Sequence, residues 1–236
     1  MVAADSINFR VWLASQSERR LDWIKENYSQ DRIQVFPIPL IDNVEPEYNS
    51  IPVSEQVLLI AESKLKSAYL EIKLGRLDQI CEDNLKESSK VITIVSDTLV
   101  ESPDDPNVAL GKPNDSLIAA SMLMLLSGSR HNVWSATGII ISSDIKFKND
   151  IPIVKVKLGD SFNGYIFVES STIEIPSLSD EVLSNLIKSE SWKGKAGAYD
   201  LAGEMGNHAS LVSGKEVCVL GFASSAMSFL SKLIGA

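Results

Sequence analysis

An α/β fold built on a mixed sheet is what this sequence predicts, and three observations predict it. Short runs of Val, Ile, Leu and Thr alternate with segments whose apolar residues recur at helical spacing. The alternation runs to the C-terminus without repeats, low-complexity tracts or a clear linker. Apolar residues make up 44% of the 236 residues and charged residues 22%, a balance that supports a sizeable core.

The elements follow in order. INFRVWLA (7–14) reads as a first strand, and SQSERRLDWIKENY (15–28) as a helix capped by Ser15 or Ser17, with Leu21, Ile24 and Tyr28 at helical spacing. Residues 32–41 are extended, with prolines that suit an edge or a crossover. Residues 54–75 form a long helix, with Ser54 as its cap and Gly75 as its stop. Polar residues 76–90 read as an exposed connection. VITIVSDTLV (91–100) is a core strand, and residues 115–128 are a helix with an Asp115 or Ser116 start and Gly128 just past its end. HNVWSATGIIIS (131–142) is a strand, residues 143–164 carry a hairpin, and YIFVESSTIEI (165–175) alternates as a strand. Ser179 or Asp180 opens a short helix, residues 208–222 read as a hairpin about Ser213 and Gly214, and residues 223–236 close the chain as an amphipathic helix.

A net charge of −9 argues against a nucleic-acid or anionic-membrane binder, which needs a basic face. It leaves room for a small anionic ligand held by local cations. Cys81 and Cys218 make neither a disulfide framework nor a zinc spacing, and His131 and His208 are a weak metal signal. MVAADSINFR lacks a signal-peptide core, and no apolar run approaches the roughly 20 residues of a membrane span. The expectation is a soluble, cytoplasmic protein.

Several polar residues do not fit their surroundings. Asp97 is a carboxylate near the end of an apolar strand, where a buried charge needs a partner, a metal or a chemical task; a turn-capping Asp is the plain alternative. Arg19 and Arg20 lie in a helix's first turn, where cations oppose the helix dipole and where a bound anion would reconcile them. Lys64 shares a stripe with Val57, Ala61 and Ala68, so its ammonium either snorkels to water or reaches over the sheet into a site. Lys112 precedes Pro113 just before a helix, and GKAGAYDLAGEMG (194–206) has the glycine content that lets backbone approach a ligand. One carboxylate with cations from separate segments suits a polyphosphate, a divalent ion and attack by water.

These residues sit in motifs that resemble those of the Maf proteins, nucleoside triphosphate pyrophosphatases. LASQSERR (13–20) is similar to LASxSPRR, IAESKL (60–65) to LAxxKA, and VSDTLV (95–100) to (G/S)ADTxV. LGKPND, AASMLMLLSG and RHNV (110–133) follow the family's L(G/E)KPxD and ML…LSGxxHxV, and GKAGAYDLAG (194–203) resembles DKAGAYGIQG. The resemblance implies one domain over residues 1–236, with an elongated mixed sheet and a cleft between two lobes. It implies hydrolysis of a nucleoside triphosphate to monophosphate and pyrophosphate with Mg2+ or Mn2+, a preference for dTTP, UTP and modified pyrimidine nucleotides, and an association that is often dimeric. Carried over by motif, Asp97 is the catalytic carboxylate, as base, metal ligand or both. Arg19, Lys64, Lys112 and Lys195 contact the triphosphate, Arg20 stands with them, and Ser15 and Ser17 are loop contacts to phosphate or metal.

The departures are specific. Glu18 replaces the family's Pro, and Ala202 replaces the Gln of GIQG. The acidic residue of the family's (I/V)DE pattern falls among Asp42, Glu45 and Glu47, with Glu45 as the choice for a metal ligand. Glu18 and Ala202 favour the alternative of a nucleotide-binding regulatory protein with weakened catalysis.

Overall fold

The computed structural model describes residues 9–41, 48, 50–80, 91–145 and 154–235. β1 (Phe9–Leu13) leads into α1 (Glu18–Asn27), and β2 (Ile33–Phe36) precedes the long α2 (Val53–Lys73) and the short α3 (Arg76–Ile80). Then come β3 (Val91–Glu101), β4 (Ala109–Leu110), α4 (Ser116–Leu126) and β5 (Ser129–Ser142). β6 (Val154–Leu158), β7 (Phe162–Ile175), α5 (Asp180–Lys188), β8 (Ser210–Ser213), α6 (Glu216–Leu220) and α7 (Ser224–Ile234) complete the order.

Among the described residues, one mixed sheet of eight strands runs β2-β1-β3-β5-β7-β6, with β4 beside β3 and β8 beside β7. β2, β1 and β3 are parallel, and the other pairings are antiparallel. Helix α2 makes the crossover between β2 and β3 and lays Val57, Ala61, Leu65, Ala68 and Ile72 on the face that carries Val95, Ala136 and Ile140. The opposite face, with Val11, Leu13, Ile92, Ile94 and Ile139, packs on Ile24 of α1 and on Ala226, Phe229 and Leu230 of α7. β5 and β7 are 14 residues each, about 45 Å of strand. They continue past these two clusters into a third, where α4 and α5 cover Val133, Ile173 and Ile175.

Most expected elements are present, and the differences have physical reasons. Pro52, not Ser54, occupies the N-cap of α2, so the first turn uses the fixed proline φ in place of a side-chain cap. Arg76–Ile80 of the expected connection is helical, and Arg76 is held at 2.6 Å by the buried Glu71; residues 81–90, with Cys81, lie outside the described residues. No hairpin forms about Ser213 and Gly214: β8 pairs with β7, and the chain then turns into α6. Cys218 and Val219 of this helix are both buried, Val219 in the third cluster. None of the described helices is long and apolar enough to cross a membrane.

Candidate active site

A cavity of about 490 Å³ opens between the α2-covered part of the sheet and the third cluster. Its lining brings together Ser15, Ser17, Arg19, Arg20, Lys64, Asp97, Lys112 and Lys195, residues that come from five stretches of the chain. Glu45, together with Asp42 and Glu47, lies outside the described residues.

Asp97 stands within β3 rather than at its end, because the strand runs on to Glu101. It pairs in register with Ala136 and shares the α2 face with Val95. Lys64 Nζ lies 2.6 Å from Asp97 Oδ1, with 12% and 9% of the two side chains exposed. The lysine on the apolar stripe therefore turns into the cleft. An ion pair this enclosed stands because each charge offsets the other's desolvation cost.

The loop after β1 is shaped by hydroxyls. Ser15 Oγ accepts from the Ser17 N–H at 3.1 Å, and Ser17 is the N-cap of α1 without a side-chain capping bond. Arg20 donates to Ser15 Oγ, to Thr98 Oγ1 at 3.0 Å and to the Gly221 carbonyl at 2.9 Å, with its guanidinium over the Phe222 ring. The conflict between two arginines and the α1 dipole is thus met in part by protein oxygens.

The glycine-rich stretch supplies the other wall. Gly197 has φ +66°, and a Cβ there would stand 3.0 Å from Val100, so glycine lets this loop press against β3. Its N–H donates to Gly111 O at 3.1 Å, which brings the Lys112 turn beside Lys195. Tyr199 also lines the cavity, and its hydroxyl meets His131 Nε2 at 2.8 Å. Burial pushes the Tyr199 pKa well up and the His131 pKa down to about 4.

Asp200 is the residue that sequence reasoning passed over. Its Oδ1 lies 2.9 Å from Arg19 NH1 and its Oδ2 3.0 Å from Lys195 Nζ. Burial pushes its carboxyl up, but Arg19 and Lys195 outweigh burial and hold it below the usual carboxylate value. The available signal was an acidic residue inside the glycine-rich stretch, which shows no partner until residues 19 and 195 meet in space.

Among the described residues, the lining sets five cations, Arg19, Arg20, Lys64, Lys112 and Lys195, against three carboxylates, Glu18, Asp22 and Asp97. Chemically, it is a cleft with a cationic lining, suited to an anion, and one enclosed carboxylate, Asp97. Among the described residues no group of three or more His, Cys, Asp or Glu could by itself hold a metal ion.

Known proteins share this arrangement of sequence. The chain is 29% identical over 212 residues to a dTTP/UTP pyrophosphatase of Clostridium acetobutylicum, covering 89% of both chains. It is 28% identical over 223 residues to a dTTP/UTP pyrophosphatase of Clostridium tetani, covering 94% of this chain and 96% of the relative. It is 28% identical over 172 residues to a protein of the same name from Lachnoclostridium phytofermentans. A family model described as Maf-like protein matches residues 10–232, nearly the whole chain, and the protein therefore belongs to the Maf-like family.

Proposed function

We propose that the protein is a metal-dependent nucleoside triphosphate pyrophosphatase that prefers dTTP and UTP and cleaves between the α- and β-phosphates. The observation that carries this reading is the enclosed Lys64–Asp97 pair, 2.6 Å apart, at the floor of a cleft lined by four further cations. The names of the relatives supply the nucleotides.

In this mechanism Arg19, Lys112 and Lys195 bind and orient the phosphate chain, and Arg20 backs the Ser15–Ser17 loop. Asp97 accepts a proton from water and directs it to the α-phosphorus, so that the water oxygen–phosphorus bond forms as the bond to the bridging oxygen breaks. Pyrophosphate leaves with that oxygen, and Lys64 offsets the charge that gathers nearby. The donor set fits a hard cation: Ser15 Oγ is taken up by the Ser17 N–H and Arg20, and the Asp97 carboxylate with the Ser17 hydroxyl, completed by substrate oxygens, would be the sparse protein ligation that suits Mg2+ or Mn2+. Such an ion would supply charge neutralisation along the phosphates. The lining points the same way, since among the described residues its small positive excess falls short of a bare nucleoside triphosphate's charge.

The test is a panel of dNTPs and NTPs with Mg2+ or Mn2+, with products identified. The expected result is monophosphate and pyrophosphate, faster from dTTP and UTP than from dATP or GTP, and no turnover with a chelator. Asp97→Asn should fold and lose turnover by roughly 10²-fold or more, and Lys64→Met by well over tenfold. Orthophosphate as product, a purine preference, or near-normal turnover in Asp97→Asn would overturn the reading. Glu18 in the cavity lining favours the second reading, a nucleotide-binding protein with weakened turnover; tight dTTP binding by the wild type without cleavage would identify it.

A further inference from the structure

The proposed reaction makes no use of Asp200, yet this carboxylate is built into the cleft. Each of its oxygens meets a different cation, Arg19 NH1 at 2.9 Å and Lys195 Nζ at 3.0 Å. The Ala202 N–H donates to Oδ1 at 3.1 Å, so the carboxylate is anchored in its own turn and does not ride on the cations. Only 13% of the side chain is exposed. Arg19 and Lys195 line the cavity, and Asp200 stands behind them.

We propose that Asp200 is an internal counter-ion that weakens the cleft's hold on polyphosphates, setting the affinity for the triphosphate and easing release of pyrophosphate. The inference rests on the reading of Arg19 and Lys195 as phosphate contacts. Two effects of the carboxylate oppose each other. By fixing two long side chains it spares part of the ordering cost of binding, a gain bounded by the rotamer freedom of those two chains. Against this, its charge repels every charge on the ligand and already holds one donor on each cation. Repulsion grows with ligand charge and the orienting gain does not, so for a tripolyphosphate the repulsion wins. For a nucleoside monophosphate the two are closer to balance. The device works in both directions of the cycle: the carboxylate that resists entry of the phosphate chain also takes back both cations as pyrophosphate leaves.

The test is calorimetric titration of the wild type and Asp200→Asn with inorganic tripolyphosphate, pyrophosphate and dTMP at low and high salt. The Asn variant should bind tripolyphosphate and pyrophosphate about tenfold tighter, with a smaller change for dTMP and a difference that shrinks as salt rises. In dTTP turnover its KM should fall and pyrophosphate should inhibit it more strongly, whereas a merely structural role would move neither in that direction. Asp200→Ser serves if the Asn variant does not fold. Equal or weaker tripolyphosphate binding by the variant would overturn the proposal, making Asp200 a clasp. So would a wild type that binds no tripolyphosphate. If the wild type cleaves no triphosphate but the variant binds tripolyphosphate more tightly, the counter-ion stands and the catalytic reading falls. If the wild type cleaves dTTP and the variant binds no tighter, the reverse holds.

Discussion

His131 is 3% exposed on β5, with Nε2 against the Tyr199 hydroxyl, and Nδ1 has no hydrogen-bond partner among the described residues. Burial pushes its pKa from 6.5 down to about 4. Between those values the unfolded chain binds a proton that the folded chain does not, so stability falls as pH drops from about 6.5 toward 4. The loss reaches on the order of 3 kcal/mol if the whole shift is expressed. His131→Gln keeps a polar group near Tyr199 and removes the titration. Denaturant unfolding at pH 7 and pH 4.5 should show a smaller acid loss in the variant than in the wild type. An unchanged slope would mean that other groups carry it. Asp200 acts in the same direction but lower: its depressed carboxyl contributes stability that is lost only as pH falls below the usual carboxylate value. At this scale Asp97 and Lys64 were legible as misfits, a charge in a strand and a charge on an apolar stripe. Asp200 was not, because in a polar loop an acidic residue contradicts nothing.

Helix α2 determines whether those misfits meet. Gly138 on β5 lies under Leu65, the residue after Lys64, and a Cβ at 138 would stand 2.7 Å from Leu65 Cδ1 and 2.7 Å from Val95 Cγ2. The helix seats low on the sheet because glycine is there, and Lys64 reaches Asp97 from that seat. Gly138→Ala should lift α2, cost roughly 1–3 kcal/mol of stability from overpacking, and reduce turnover along with it. Stability and dTTP hydrolysis measured on one preparation check this; a variant with normal stability and turnover would show that Leu65 repacks freely. Helical spacing identified the stripe that carries Lys64, but spacing gives a face and not its opposite number. The same limit explains the missed α6. Val217 and Val219 alternate as a strand would, and only the tertiary structure shows that Glu216–Leu220 coils into a helix.

Across the whole molecule, the two adjacent arginines divide their work. Arg20 ties the loop after β1 to Thr98 on β3 and to the Gly221 carbonyl between α6 and α7, joining segments some 200 residues apart. Arg19 makes a partly exposed pair with Asp200, the kind worth about 0–1 kcal/mol. Arg20→Met should therefore cost roughly 1–3 kcal/mol in denaturant unfolding, since part-buried oxygens lose their donor. Arg19→Met should leave stability nearly unchanged and weaken tripolyphosphate binding. Equal stability losses would refute the division. By itself the sequence determined the α/β class, most of the helices and strands, the family motifs and the chemical types of the site residues. Those properties rest on local periodicity and residue chemistry, which are written in neighbouring positions. Only the tertiary structure decided that Lys64 faces Asp97, that Arg20 is held by Gly221, and that Asp200 pairs with Arg19 and Lys195 together. These are contacts between distant segments, and they exist only once the sheet and its crossover bring the segments within a few ångströms.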